Sequence, residues 1–258
     1  MESDTPTLRP VPKSRLDVLL VARGLAPSRE RARALILAGH VRVGGTVVTK
    51  AGVAVDPGAA IGLRQPDHPW VGRGGVKLAH ALDVFGLDVT GRSALDIGAS
   101  TGGFTDVLLA RGAAHVVALD VGHNQLDWRL RTDARVLCLE GLNARALTPD
   151  RLPADRRQFD VITIDVSFIS LRHILPNIGA LLGPGGHVIV LVKPQFEAGR
   201  REVGPGGVVR DPEVQARTVR AIAAEAHQVG LTDLAVEASP VTGAHGNREF
   251  LMLLQTAR

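Results

Sequence analysis

The sequence predicts an α/β protein: a doubly wound, mostly parallel sheet of seven strands with one reversed, preceded by a small α+β module. Three observations predict it. From Gly72 onward, apolar runs of strand length alternate with helical patterns, as in a parallel sheet covered on both faces. A glycine turn at residues 98–103 directly follows the first of those runs, where such sheets bind nucleotides. The charge is also uneven. Residues 1–66 hold 10 Lys and Arg against 5 acids, a surplus of +5, although the whole 258-residue chain carries only +4.

Composition removes several classes. With 45% hydrophobic and 22% charged residues the chain reads as ordinary globular protein, not collagen, coiled coil or acidic tail. No apolar run approaches the ~18 residues a membrane span needs, and the polar start Met1-Glu2-Ser3-Asp4 does not read as a signal peptide. A cytoplasmic location with no membrane partner is the expectation. The single cysteine, Cys138, excludes a disulfide framework and a cysteine-based zinc site. No ligand-spaced histidine cluster implies a metal. Only 4 of the 30 basic residues are lysine, which makes Lys13, Lys50, Lys77 and Lys193 worth locating.

The first elements follow from caps and stops. Ser14 is positioned to cap a helix over 15–23, with Leu16, Leu19 and Leu20 on one face and Gly24 as its stop. Ser28 is positioned to cap a second helix, which buries Ala32, Leu35 and Ile36, turns Arg29, Arg31 and Arg33 outward, and ends at Gly39. Strands at 41–43 and 46–48 flank Gly44-Gly45, a two-residue hairpin signal, and a short strand over 60–63 completes the unit. The pattern Arg15-Leu16-Asp17, Ser28-Arg29, Gly39-His40-Val41-Arg42-Val43-Gly44-Gly45 resembles the S4 RNA-binding domain over residues 14–65. That resemblance implies Arg15, Arg29, Arg31, Arg33 and Arg42 as contacts to RNA phosphates, which give affinity with little sequence choice. On charge alone, a solvated face or a protein-binding module remains open.

Residues 1–13 read as a flexible lead-in, 66–71 as a linker and 72–258 as the larger domain. Its strands are expected over 93–96, 116–120, 136–140, 160–165, 187–192, 233–238 and 249–255. Helices are expected over 76–85, 103–111, 126–131, 174–182 and 211–229. Pro176 falls in a first turn, where a missing N–H costs nothing. The last helix has Asp211 as cap, Pro212 behind it and Gly230 as stop. The final two strands read as an antiparallel hairpin around residues 240–247.

Detail in the glycine turn narrows its ligand. The dinucleotide fingerprint needs glycine at position 100, which is Ser100, and no lysine completes a P-loop. Asp96 stands two residues before Gly98, and Asp120 closes the second strand, where it can accept both hydroxyls of a ribose. Asp96, the turn of Gly98, Ala99, Ser100, Gly102 and Gly103, and Asp120 together resemble the S-adenosylmethionine site of class I methyltransferases. A carboxylate in place of pyrophosphate-binding amides suits a cofactor with an ammonium and a cationic sulfur. A purely structural tight turn is the alternative.

Four more residues form a set. Lys77 opens the first helix, Asp165 ends the fourth strand, Lys193 ends the fifth and Glu249 starts the seventh. A lysine directly after a hydrophobic strand is costly to bury unless paired. An ion-pair network at the sheet edge is the plain reading. The order Lys-Asp-Lys-Glu, however, resembles the tetrad of FtsJ-like ribose 2′-O-methyltransferases. With the S4-like pattern and the stretches 165–171, 192–197 and 203–209, the layout resembles the TlyA (haemolysin A) family over residues 14–256.

The resemblance implies S-adenosylmethionine-dependent 2′-O-methylation of ribosomal RNA, at cytidine in 16S or 23S rRNA or both, with ribosomal RNA or subunits as partners. It makes Lys193 the central group, as general base or oxyanion stabiliser, and places Asp165 beside the cofactor as well. The loop over 197–210 lies next to Lys193 and could close over RNA. Two departures stand out: some members carry Arg-Ala before Trp-Val where this chain has His68-Pro69, and some carry a longer tail. Alternatives are a non-catalytic RNA-binding ribosome assembly factor, a haemolysin-type activity, and methylation of a base or small molecule.

Overall fold

Two strands more than the cap pattern suggests shape the first unit. In the computed structural model, which describes residues 12–26, 28–37, 39–63 and 68–256, the chain forms two units, Met1–Pro69 and Trp70–Arg258. The expected lead-in up to residue 11 and the start of the expected linker, residues 66 and 67, lie outside the described residues. In the first unit β1 (Ser14–Arg15) runs into α1 (Leu16–Ala22), followed by α2 (Arg29–Leu37), β2 (Val41–Val43), β3 (Thr46–Val47), β4 (Ala54–Val55) and β5 (Ile61–Leu63).

Ser14 is therefore a strand residue opposite Val55, not a helix cap. The reason lies in the backbone: the first N–H groups of α1, on Leu16 and Asp17, donate to the carbonyls of Val53 and Ala51, so no side-chain cap is called for. Ser28 does cap α2, its Oγ accepting the Arg31 N–H at 3.2 Å. Gly44 and Gly45 both take positive φ, 56° and 83°, as a two-residue hairpin requires. β2 sits between β3 and β5, and Leu16, Leu20, Ala32, Ile36 and Val41 close the core without exposed surface.

The second unit opens with α3 (Gly74–Phe85), β6 (Ser93–Ile97), α4 (Gly103–Ala110), β7 (His115–Asp120), α5 (Trp128–Arg131) and β8 (Val136–Glu140). It continues with β9 (Phe159–Ile164), α6 (Leu175–Ile178), β10 (Leu182–Val192), α7 (Pro194–Glu197), α8 (Pro212–Gln228), β11 (Leu231–Ala238) and β12 (Phe250–Thr256). Among the described residues the sheet has seven strands in the order β11-β12-β10-β9-β6-β7-β8, and β12 alone runs against its neighbours.

Period-two alternation buries both faces. Leu95, Ile97, Val117, Leu119, Ile162, Ile164 and Val190 pack on one side with Leu175 and Ile178 of α6 and Ile222 of α8. Ala94, Val116, Ala118, Val161, Ile189 and Leu191 pack on the other with Leu78 of α3, Leu108 of α4 and Leu130 of α5. Strand order reverses between β6 and β9, and the crevice beyond their carboxyl ends is where such sheets hold ligands. No described helix is long and apolar enough to cross a membrane.

Candidate active site

The turn after β6 is shaped by what its glycines let approach. Gly98 has φ 85°, and a Cβ there would lie 2.3 Å from the carbonyl oxygen of Asp165. Gly102, at φ 97°, would strike Leu130 of α5. A Cβ on Gly103 would meet the backbone nitrogen of Gly75 at 2.8 Å, so α4 can start against the start of α3 only through glycine. Ser100, where the dinucleotide pattern would have glycine, takes φ 48°. Its N–H donates to Asp120 Oδ2 at 2.8 Å, and the Gly122 N–H donates to Oδ1 at 2.7 Å. Two backbone donors thus orient the Asp120 carboxylate, and each oxygen keeps acceptor capacity to spare.

Asp120, Gly98 and Ser100 line a cavity of about 420 Å³ whose other walls include Ile97, Leu119, Leu142 and Ile174. Gly98, Ala99, Ser100, Gly103 and Asp165 line a smaller one of about 130 Å³. Gly102 lines neither and serves packing. The sequence reading put Asp96 at the cofactor, and the structure buries its side chain against α4. Side chains alternate along β6, so Asp96 projects to the face carrying α4, away from the cavity beside Ile97. It is fully buried, accepts hydroxyl protons from Thr105 at 2.7 Å and Thr163 at 3.0 Å, and lines none of the cavities described here. Burial pushes its carboxyl up to about 6, against the pull of those two hydroxyls.

The charged set resolves into two pairs. Lys193, directly after β10, lies 2.6 Å from Asp165 Oδ1 and donates to Ser167 Oγ at 3.0 Å. Lys77, in the first turn of α3, donates to Glu249 Oε2 at 2.5 Å. Both lysines are 8% exposed and Glu249 is 3% exposed. Lys77, Lys193 and Glu249 line a cavity of about 350 Å³ together with Ser167, Phe168 and Asn247. Ser167 and Phe168 line the 420 Å³ cavity too, so the two spaces share the wall formed by the turn after β9.

Several residues of this site went unread in the sequence. Phe168 is 90% exposed at φ 64° and packs its ring 5.3 Å from that of Phe196. In the sequence it stands inside the 165–171 stretch that carries the family resemblance, with no role of its own marked. Glu197 accepts from Ser170 Oγ at 2.6 Å and from the Leu171 N–H at 2.8 Å, tying that turn to α7; burial pushes its carboxyl up. Asn247 accepts the Val209 N–H at 3.1 Å and donates to the Gly207 carbonyl at 2.9 Å, which pins the glycine-rich loop at the cavity edge.

In the first unit, Arg15, Arg29 and Arg33 converge on Asp17. Arg42 lies apart on β2, its guanidinium 3.4 Å from the Gly45 carbonyl, and Arg31 is exposed on α2.

Comparison with known proteins adds the following. The S4 domain family matches residues 14–61, and the FtsJ-like methyltransferase family matches residues 70–256. The chain is 48% identical over 245 residues to the 16S/23S rRNA (cytidine-2′-O)-methyltransferase TlyA of Mycobacterium tuberculosis, covering 95% of this chain and 90% of that protein. It is 40% identical over 241 residues to Hemolysin A of Brachyspira hyodysenteriae, covering 92% and 98%. A solved structure from Streptococcus thermophilus, described as a hemolysin, aligns with TM-score 0.74 at 43% identity, covering 95% and 89% of the two chains.

Proposed function

The chain belongs to the TlyA/hemolysin family, an S4 domain followed by an FtsJ-like methyltransferase domain, and from that premise we propose that it methylates ribosomal RNA, moving a methyl group from S-adenosylmethionine to a ribose 2′-oxygen. The observation that carries the chemistry is the shared wall: a mostly apolar cavity lined by the carboxylates of Asp120 and Asp165 adjoins a cavity lined by two lysines and a glutamate.

The residues present fit the cofactor. Asp120 would accept the ribose hydroxyls, Leu119, Leu142 and Ile174 would flank the adenine, and the smaller cavity along Gly98, Ala99, Ser100 and Asp165 would take the amino-acid end. Bound there, S-adenosylmethionine supplies an electrophilic methyl group on a cationic sulfur. The chain's own work is on the acceptor. A ribose hydroxyl is a poor nucleophile, so charge developing on its oxygen must be stabilised as the proton leaves. Lys193 lines the second cavity and donates to Ser167 on the shared wall, and the Asp165 carboxylate beside it, which lines the first cavity, both aims that ammonium and offers an acceptor for the proton. An ammonium paired with a carboxylate is a donor, which favours the stabiliser role over the base. Lys77 and Glu249 form a second pair lining the same cavity as Lys193. Because the lysines are almost covered, the target nucleotide has to leave its stack to reach them. Arginines of the first unit supply phosphate contacts.

The test uses S-adenosylmethionine with a labelled methyl group, unmodified small and large ribosomal subunits, and Lys193→Ala beside the native chain. Native enzyme is expected to give ribose-methylated cytidine after digestion to nucleosides, and the variant about 10²–10⁴-fold less, with cofactor affinity retained. A base-methylated product, or full transfer by Lys193→Ala, overturns the assignment.

A further inference from the structure

One of the buried carboxylates that the chemistry above leaves without a task lies in the first unit. Asp17, in the first turn of α1, has no exposed surface. Three guanidiniums meet on it: Arg15 donates from Nε at 2.9 Å and from Nη2 at 3.1 Å, Arg29 donates at 3.1 Å, and Arg33 lies 3.6 Å away. They come from β1 and from two positions one helical turn apart on α2. The three arginine side chains stay 48%, 54% and 56% exposed.

A carboxylate that served only to hold α1 against α2 would need one such partner. Here one buried anion meets three cations, and with the exposed Glu30 beside Arg29 and Arg33 counted as well the patch still keeps a net positive charge. Cations crowded this closely repel one another unless a further anion joins them. Each guanidinium has five N–H donors in a rigid fork, and no more than two of any one are spent on Asp17. The rest are available to an external anion, and phosphate matches that fork geometry.

We propose that Asp17 is a positioning residue for a preset phosphate clamp, holding Arg15, Arg29 and Arg33 in one array that receives the RNA backbone. The clamp rests on the RNA-binding reading above and specifies which side chains act as a unit. Hydrogen bonding from Arg15, then from Arg29, holds the Asp17 carboxyl far below the usual carboxylate range, so the anchor stays charged wherever the enzyme works. Arginines ordered in advance lose less freedom on binding than three free side chains would.

The proposal has an unusual sign. Removing an acid from a surface that binds a polyanion strengthens binding if the acid acts only by its charge. Removing an acid that positions the cations weakens it. The experiment is a salt titration of the full chain with a fluorescently labelled ribosomal RNA hairpin, read by anisotropy. Asp17→Asn is expected to bind roughly tenfold more weakly and to lower the slope of log affinity against log salt by about one. Asp56→Asn, at an exposed acid of the same unit whose side chain accepts the Gly58 N–H, is expected to bind as tightly as the native chain or slightly tighter.

Binding by Asp17→Asn as tight as native, or tighter, overturns the clamp. If Asp17→Asn loses the helical signal of its unit, the decision passes to Arg29→Lys/Arg33→Lys, which keeps both charges and removes the forks. Weaker binding by that variant sustains the clamp, and unchanged binding overturns it. A native chain with no salt-dependent RNA affinity overturns the RNA-binding reading itself, a result distinct from failure of the clamp alone.

Discussion

Gly243 faces Glu249 so closely that a Cβ at that position would lie 1.9 Å from the carboxylate oxygen. A methyl group there must swing Glu249 away from Lys77 or shift the loop that carries both. We expect Gly243→Ala to cost about 10²-fold in methyl transfer, the usual scale for a misplacement near 1 Å, while the melting temperature moves little. Steady-state rates on ribosomal subunits and a thermal melt check both halves. Asp96 carries a pH prediction instead. Its carboxyl titrates near 3.8 when unfolded and at about 6 when buried, so the folded state binds more protons between those values. The group's contribution to stability is therefore fully present below 3.8 and lost as pH rises through about 6. Asp96→Asn should gain melting temperature over the native chain across that window and hold the gain above it, which calorimetry at a series of pH values would read. The four charged residues could be singled out because lysine is rare here and two of the chain's four lysines stand at strand or helix ends. Their pairing was not, since Lys77 and Glu249 are 172 positions apart and no local rule joins them. The burial of Asp96 was not legible either, because a turn motif says which residue ends a strand but not which face of the pleat it occupies.

Elements were legible where capping chemistry marks their ends. α8 begins as expected at Asp211, whose side chain accepts the Glu213 N–H at 2.8 Å. The stretch over 174–182 was expected to be one helix; α6 takes only Leu175–Ile178, and β10 already starts at Leu182. Leu181 and Leu182 belong to an apolar run too short for periodicity to separate a helix end from a strand start. The register shift between Leu182 and His187 then carries β10 through Gly185 and Gly186. Loops hid more than helices did. The segment 204–210 reads as glycine-rich coil, yet Asn247 holds it by two hydrogen bonds and Gln215 adds a third through the Val209 carbonyl. Asn247→Ala strands the buried Val209 N–H, and about 1–3 kcal/mol of stability should go with it. Because Gly206 and Gly207 line the lysine cavity, KM for the RNA substrate is expected to rise more than kcat falls; kinetics on purified subunits with a denaturant melt test the pair of effects.

For the whole molecule, alternation of strands and helices was enough to foresee seven strands with one reversed, because each βαβ unit constrains its successor. The switch point between β6 and β9 then places the cavity without any knowledge of its ligand. The reversed strand has a consequence in time. Ribosomes deliver a chain from its first residue to its last, and β12 is inserted between β10 and β11, both of which are made before it. Until Glu249 and Phe250–Thr256 emerge, Lys77 has no carboxylate partner, and β11 has no neighbour through which to join the sheet. A nascent chain stalled before that point already has every residue that lines the larger cavity, but not the acid that pairs with Lys77. The charged pair of the second cavity is thus the last part of the candidate site that synthesis completes.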